Sequence, residues 1–161
     1  MKEVAPVLVI GYGNPARGDD AVGPVLAERL EQWLTDSAHV DIEVLTDFQL
    51  NIEHVLDLAG RRRVLLIDAS AGGQSPFECV RVEPESDDSH TTHAVSPRGL
   101  LATYARLTSH TPPRTELLCV PGRSFELGAP MSEEARRDVE QAWRFLRQWC
   151  EQAMTESIDH A

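Results

Sequence analysis

The sequence predicts an α/β protein: a three-layer α/β/α sandwich around a mainly parallel, twisted sheet of about five strands. Two fully apolar runs, Val7-Leu8-Val9-Ile10 and Val64-Leu65-Leu66-Ile67, read as strands buried on both faces, which requires helices on either side of a parallel sheet. Strand-like and helix-like segments alternate along nearly the whole chain, the signature of such a sandwich. No internal repeat or linker interrupts the pattern. The 161 residues are therefore expected to form one domain, 1–161, with a core of useful size.

The first apolar run ends in Gly11-Tyr12-Gly13, and residues 12–22 read as a loop feeding a helix. That helix spans about 24–34, with Val25, Leu26, Leu30, Trp33 and Leu34 at helical spacing. Pro24 is expected at its first position, where the missing N–H costs nothing. Val40, Ile42 and Val44 alternate with Asp41 and Glu43, as in a half-exposed strand. Ile52, Val55, Leu56 and Leu58 make a helical stripe stopped by Gly60. The second apolar run ends at Asp68. Residues 77–82 read as a strand nearer an edge, and 84–96 as a polar loop. Pro97 opens a helix carrying Leu100, Leu101, Tyr104 and Leu107, and residues 115–120 are the fifth strand. Ser132 caps a long last helix to about Met154, with 155–161 expected to be a frayed, disordered tail.

The formal charge of −11 argues against nucleic acid as a partner, since phosphate backbones demand clustered Lys and Arg. The one basic run, Arg61-Arg62-Arg63, reads as a solvated strand entry. No apolar stretch is long enough for a membrane span, so no membrane partner is expected. The opening Met1-Lys2-Glu3-Val4-Ala5-Pro6 lacks the regions of a secretory signal, giving a cytoplasmic expectation. The three cysteines, Cys79, Cys119 and Cys150, match no zinc or redox spacing. Cys119 reads as a small buried hydrophobe. The last helix shows no sustained heptad, so a monomer is expected.

Chemistry should collect beyond the carboxyl ends of the strands. Two features fall there: the loop Gly11-Tyr12-Gly13-Asn14-Pro15-Ala16-Arg17-Gly18-Asp19-Asp20, and Asp68. An acid ending a buried strand is costly unless a cation or hydrogen-bond donors meet it. Carboxylates at a helix entrance suit a cation. For one of Asp19 and Asp20 a plain role as turn cap or solvated acid is expected. Asp68 could equally be held by backbone N–H groups. The later polar loop carries His90 and His93, and imidazole with carboxylates suits nickel, zinc or iron. A competing reading takes Gly11-x-Gly13-x-x-Ala16 as a dinucleotide fingerprint, with Asp47 as the ribose-binding acid of an NAD(P)-binding enzyme. Against it, the helix starts too late, and Asp19 and Asp20 stand where a pyrophosphate needs bare N–H groups. No His-Glu-x-x-His, Gly-x-Ser-x-Gly or Walker A pattern occurs.

Taken together, Gly11-x-Gly13-Asn14-Pro15-x-x-Gly18-Asp19-Asp20-x-x-Gly23-Pro24 resembles the opening signature of the nickel–iron hydrogenase maturation proteases. Leu65-Leu66-Ile67-Asp68-Ala69 is similar to the family's second signature. Thr91-Thr92-His93-x-x-Ser96-Pro97 with Leu100-Leu101 resembles its third, and Gly122-x-Ser124-Phe125-Glu126-Leu127-Gly128 with Ser132 fits the late segment. The resemblance spans almost the whole chain in order. It implies an endopeptidase that removes the C-terminal extension of the hydrogenase large-subunit precursor after nickel insertion. It also implies Asp20, Asp68 and His93 as the catalytic and metal-contacting residues, with His90 the other candidate for the imidazole. Nickel would be supplied by the substrate, and other divalent metals could substitute. Gly11, Gly13 and Asn14 are expected to bind substrate, the backbone N–H groups of the Gly11–Gly13 loop steadying an oxyanion. Asn14 could equally serve only an Asx-type turn before Pro15. A chaperone that holds the nickel site without cutting is the remaining alternative.

Overall fold

The two apolar runs lie side by side at the centre of a five-stranded sheet. The structure, a computed structural model, describes residues 3–86 and 94–159. The strands are β1 (Val7–Tyr12), β2 (Ile42–Asp47), β3 (Arg63–Ser70), β4 (Glu78–Val82) and β5 (Arg114–Pro121). Their order is β2-β1-β3-β5-β4. All pairings are parallel except β4 against β5, which is antiparallel at the edge. Helices α1 (Val22–Asp36) and α4 (Glu133–Asp159) cover one face, and α2 (Val55–Leu58) and α3 (Pro97–Thr108) the other. The three-layer α/β/α class read from the sequence is the one observed.

Strand alternation divides the core. Val7, Val9, Leu65, Ile67, Leu118 and Val120 pack under α1 and α4. Leu8, Ile10, Val64 and Leu66 pack under α2 and α3 with Leu100, Leu101 and Tyr104. Each such fully buried side chain contributes roughly 1.5–3 kcal/mol. Helix α1 also presses on the sheet through glycines. A Cβ on Gly23 would meet the Tyr12 carbonyl oxygen at 2.4 Å and that of Ile67 at 2.8 Å; one on Gly11 would meet the Gly23 carbonyl oxygen at 2.2 Å. Backbone thus rests on backbone where α1 begins.

Several local expectations shift. Pro24 is the third residue of α1, because a 3-10 turn, Gly18–Ala21, feeds the helix two residues earlier than the apolar spacing suggests. The stripe from Ile52 is a 3-10 turn followed by the four-residue α2. Helix α4 runs on to Asp159, so the expected frayed tail is largely helical. The arginine run is a solvated entry only at Arg62. Arg63 is buried, ion-paired with Glu116 and Glu156 and stacked on Trp149, while Arg61 pairs with Glu43. These contacts close the end of the sheet where the strands begin. No helix among the described residues is long and apolar enough to cross a membrane.

Candidate functional site

In the order β2-β1-β3-β5-β4 the chain leaves β1 toward β2 on one side and later returns with β3 on the other. That reversal opens a crevice at the carboxyl ends of β1 and β3. Tyr12 ends β1 and Asp68 lies near the end of β3. Since Gly11 is paired with Ile67, the register sets Tyr12 beside Asp68. It further pairs Tyr12 with Asp47, Asp68 with Cys119, and Cys119 with Glu78. Five side chains, one per strand, thereby form a row on the α2–α3 face.

Asp20 reaches this row from the 3-10 turn at the mouth of α1. The loop between is folded tightly. Gly13 has φ +146°, and a Cβ there would lie 2.0 Å from the Asp20 carbonyl oxygen, so only glycine fits. The Asn14 N–H donates to Asp20 Oδ2 at 2.6 Å. Asn14 Oδ1 accepts from the Ala16 N–H at 2.9 Å, which is the Asx turn considered as its plain role. The Gly13 N–H donates to the Asp47 carbonyl oxygen at 3.0 Å. It is therefore engaged, and the expected oxyanion role for this loop is not available to Gly13. Gly11, buried, serves the close packing of α1. The same geometry counts against a dinucleotide, because Asp20 occupies the N–H of Asn14 and the space over Gly13 that a pyrophosphate would need.

The two aspartates of the loop have opposite fates. Asp19 is fully buried. It accepts from the N–H groups of Arg123 at 2.7 Å, Ser124 at 3.3 Å and Ser132 at 2.7 Å, and from the Ser132 hydroxyl at 2.8 Å. Burial works to raise its pKa, but these hydrogen bonds prevail and hold it below the ordinary value. Asp19 ties the glycine loop to the β5–α4 connection, while Ser132 Oγ goes on to cap α4 through the Ala135 N–H. Asp20 is half-buried, and its charge is felt at Asp68.

Asp68 is the most perturbed carboxyl of the row. Burial pushes its pKa up, the Ala69 N–H on Oδ1 at 2.8 Å pulls it down, the Asp20 charge pushes it up again, and the neighbouring Tyr12 hydroxyl pulls it down. The net position is about 7. Burial and the neighbouring Asp68 in turn raise Tyr12 well above its ordinary value. Cys119 is less buried than the small buried hydrophobe expected. It is part-exposed beside Asp68, and burial together with the Asp68 charge lifts its thiol to about 11.

The structure thus brings Asp20 and Asp68 together, while His93 and His90 lie outside the described residues. Ala94, which follows His93, bridges to Asn51, and the Asn51 side-chain amide donates to Asp47 at 3.3 Å. Among the described residues no three His, Cys, Asp or Glu side chains form a group able to hold a metal. Two crowded carboxylates in a half-buried crevice are nonetheless a donor set that a divalent cation relieves. Sequence reasoning passed over Tyr12; its signal was its place as the last residue of a strand adjacent to the one bearing Asp68.

No family model matches the chain, and no curated protein matches it. Solved structures do. HybD, the hydrogenase maturating endopeptidase from E. coli, is 22% identical with a TM-score of 0.69, covering 91% of this chain and 93% of its own. HycI, a nickel–iron hydrogenase maturation protease from Thermococcus kodakarensis, is 22% identical with a TM-score of 0.67, covering 89% and 91%. The solution structure of an endopeptidase from Escherichia coli is 22% identical with a TM-score of 0.67, covering 94% and 93%. The chain has the fold of these maturation proteases over nearly their whole length.

Proposed function

We propose that this chain is an endopeptidase of the hydrogenase maturation family, trimming the C-terminal extension of a hydrogenase large-subunit precursor once nickel is in place. The observation that carries the reading is the meeting of Asp20 and Asp68 at the crevice between β1 and β3, in a fold shared with such proteases. A carboxyl balanced near neutrality suits general-base work, because it can take a proton from water and return it at the same pH. Asp68 takes a proton as water adds to the scissile carbonyl; the proton then passes to the departing amine as the C–N bond breaks. Asp20, anchored by the Asn14 N–H, aligns the pair.

The nickel belongs to the substrate. Precursor nickel, still held by its own ligands, would be met by the Asp20 and Asp68 carboxylates and by His93, so that a precursor lacking nickel docks unproductively. This makes the site a sensor of completed metal insertion. The support is the repulsion between the two carboxylates, which a cation offsets.

The test is cleavage of purified precursor, with and without nickel, followed by mass spectrometry. The parent chain should release the C-terminal peptide from the nickel-loaded form only. Asp20→Asn, Asp68→Asn and His93→Ala should each abolish release while circular dichroism stays native. Normal cleavage by all three variants would end the reading. Binding of the precursor without release by the parent chain would point instead to a nickel-site chaperone.

A further inference from the structure

We propose that the open edge of β2, with the flank of α1 beside it, is a docking groove that takes the precursor's C-terminal extension as an added, extended strand of basic character; this rests on the peptidase reading above. β2 is the last strand on its side of the sheet, so its outer edge has no strand partner among the described residues. The carbonyls of Asp41 and Asp47 accept from the N–H groups of Val7 and Gly13, and so point inward to β1. Backbone polar groups alternate sides along a strand, so Ile42, Val44 and Thr46 turn theirs outward. Alongside, Pro24, Glu28, Glu31 and Thr35 stand three or four residues apart on one flank of α1. Two cavities follow one another between that flank and β2. One of about 270 Å³ reaches from Gly13 and Asp47 past Pro24 and Glu28. The next, of about 710 Å³, lies between Glu31 and Thr35 on one side and Ile42 and Val44 on the other. From Pro24 to Thr35 the flank measures roughly 16 Å, the length of about five residues of extended chain. The groove opens at the crevice, because its first cavity includes Gly13 and Asp47. Its charge selects the occupant. Glu28, Glu31, Glu43 and Asp47 line it, and Arg61 at its far end is already paired with Glu43. Only unfolded chain can add to a sheet edge. On the nickel side of the cut the precursor is tied to its metal, whereas the extension ends freely. Pairing with the outward groups of β2 supplies affinity, and Lys or Arg side chains reaching Glu28 and Glu31 supply selectivity.

Two variants address the backbone and the charge separately. Thr46→Pro removes an outward N–H that the ladder to β1 does not use, a change an edge strand tolerates. Glu28→Lys combined with Glu31→Lys reverses the exposed charge on α1. Cleavage is measured on nickel-loaded precursor with its own extension, and on precursor whose extension has every Lys and Arg replaced by Glu. Each variant should raise KM for the natural precursor about tenfold with kcat unchanged within about twofold, the pattern of lost docking. The Glu-bearing extension should raise KM for the parent and restore it in the charge-reversed variant, a rescue that damage to α1 cannot produce. The amides of Ile42, Val44 and Thr46 should also become protected from hydrogen exchange, read by NMR, when Asp68→Asn is saturated with nickel-loaded precursor. Unchanged KM in either variant, a charge reversal that the Glu-bearing extension does not rescue, or edge amides left unprotected in the complex overturns the docking groove while leaving the peptidase reading in place. A parent chain that cuts no precursor removes the peptidase reading and this proposal with it.

Discussion

Asp68 shows how one side chain answers to sequence, fold and chemistry together. Desolvation at the end of a central strand lifts its pKa to about 7, with Asp20 adding to the lift, while an aspartate in the unfolded chain titrates near ~3.9. Between those values the folded chain holds a proton that the unfolded chain has released. Stability contributed by this group therefore falls as pH rises through that window. Asp68→Asn removes the dependence. Its melting temperature should exceed the parent's at pH 8 and converge with it near pH 4, measured by calorimetry. On the proposed reading activity runs the opposite way, since the base must be ionised. The kcat/KM of the parent, which reports the free chain, should decline below about pH 7 in a pH series on nickel-loaded precursor. Asp19, one residue before Asp20, carries none of this chemistry, since all its acceptor capacity is spent on the 123–132 segment.

At the level of elements, the entry of α1 governs the site, because the 3-10 turn before it carries Asp20 and the glycines beneath it set its height over the sheet. Gly23→Ala would drive a methyl group into the Tyr12 and Ile67 carbonyls. The helix must then rise, at about 1–3 kcal/mol or more, and take Asp20 away from Asp68. Denaturant unfolding should show the stability loss. Cleavage should fall more steeply than the folded fraction does. Apolar periodicity made the strands and long helices readable, since buried runs such as Val64–Ile67 admit few other readings. It could not reveal the 3-10 turn at Gly18, where the chain is held by bonds to residues 124 and 129, more than a hundred positions away. The same blindness hid Asp19's partners and the burial of Arg63. Such facts depend on which distant segment arrives opposite, and no local pattern records that. Asp20 and Asp68 were legible because acids flanking glycine turns and strand ends are chemically conspicuous. Tyr12, an ordinary strand residue by composition, became visible only with the register.

Across the whole molecule, the sheet has two poles with different tasks. Where the strands begin, Arg63 links Glu116 of β5 to Glu156 of α4 and stacks on Trp149, whose indole N–H also reaches Glu116 at 3.2 Å. Where they end, the row of Asp47, Tyr12, Asp68, Cys119 and Glu78 faces the crevice. Arg63→Met should destabilise the chain by roughly 1–3 kcal/mol, the cost of leaving the half-buried Glu116 without its main charged partner. It should leave kcat per folded molecule unaltered, which unfolding curves and cleavage assays on one preparation would separate. A drop in kcat at full folding would show the poles to be coupled.

The strand order has a temporal consequence. Neighbours β1 and β3 are separated in sequence by the whole of α1, β2 and α2, and β5 must still close on β3 from further along the chain. Contacts of such long range form late in folding, after the loops between them have been closed at an entropic cost. The acid pair therefore comes into being only once β1 and β3 have paired. On the proposed reading, a copy in which these strands have not yet paired would lack the acid pair and so could not cut.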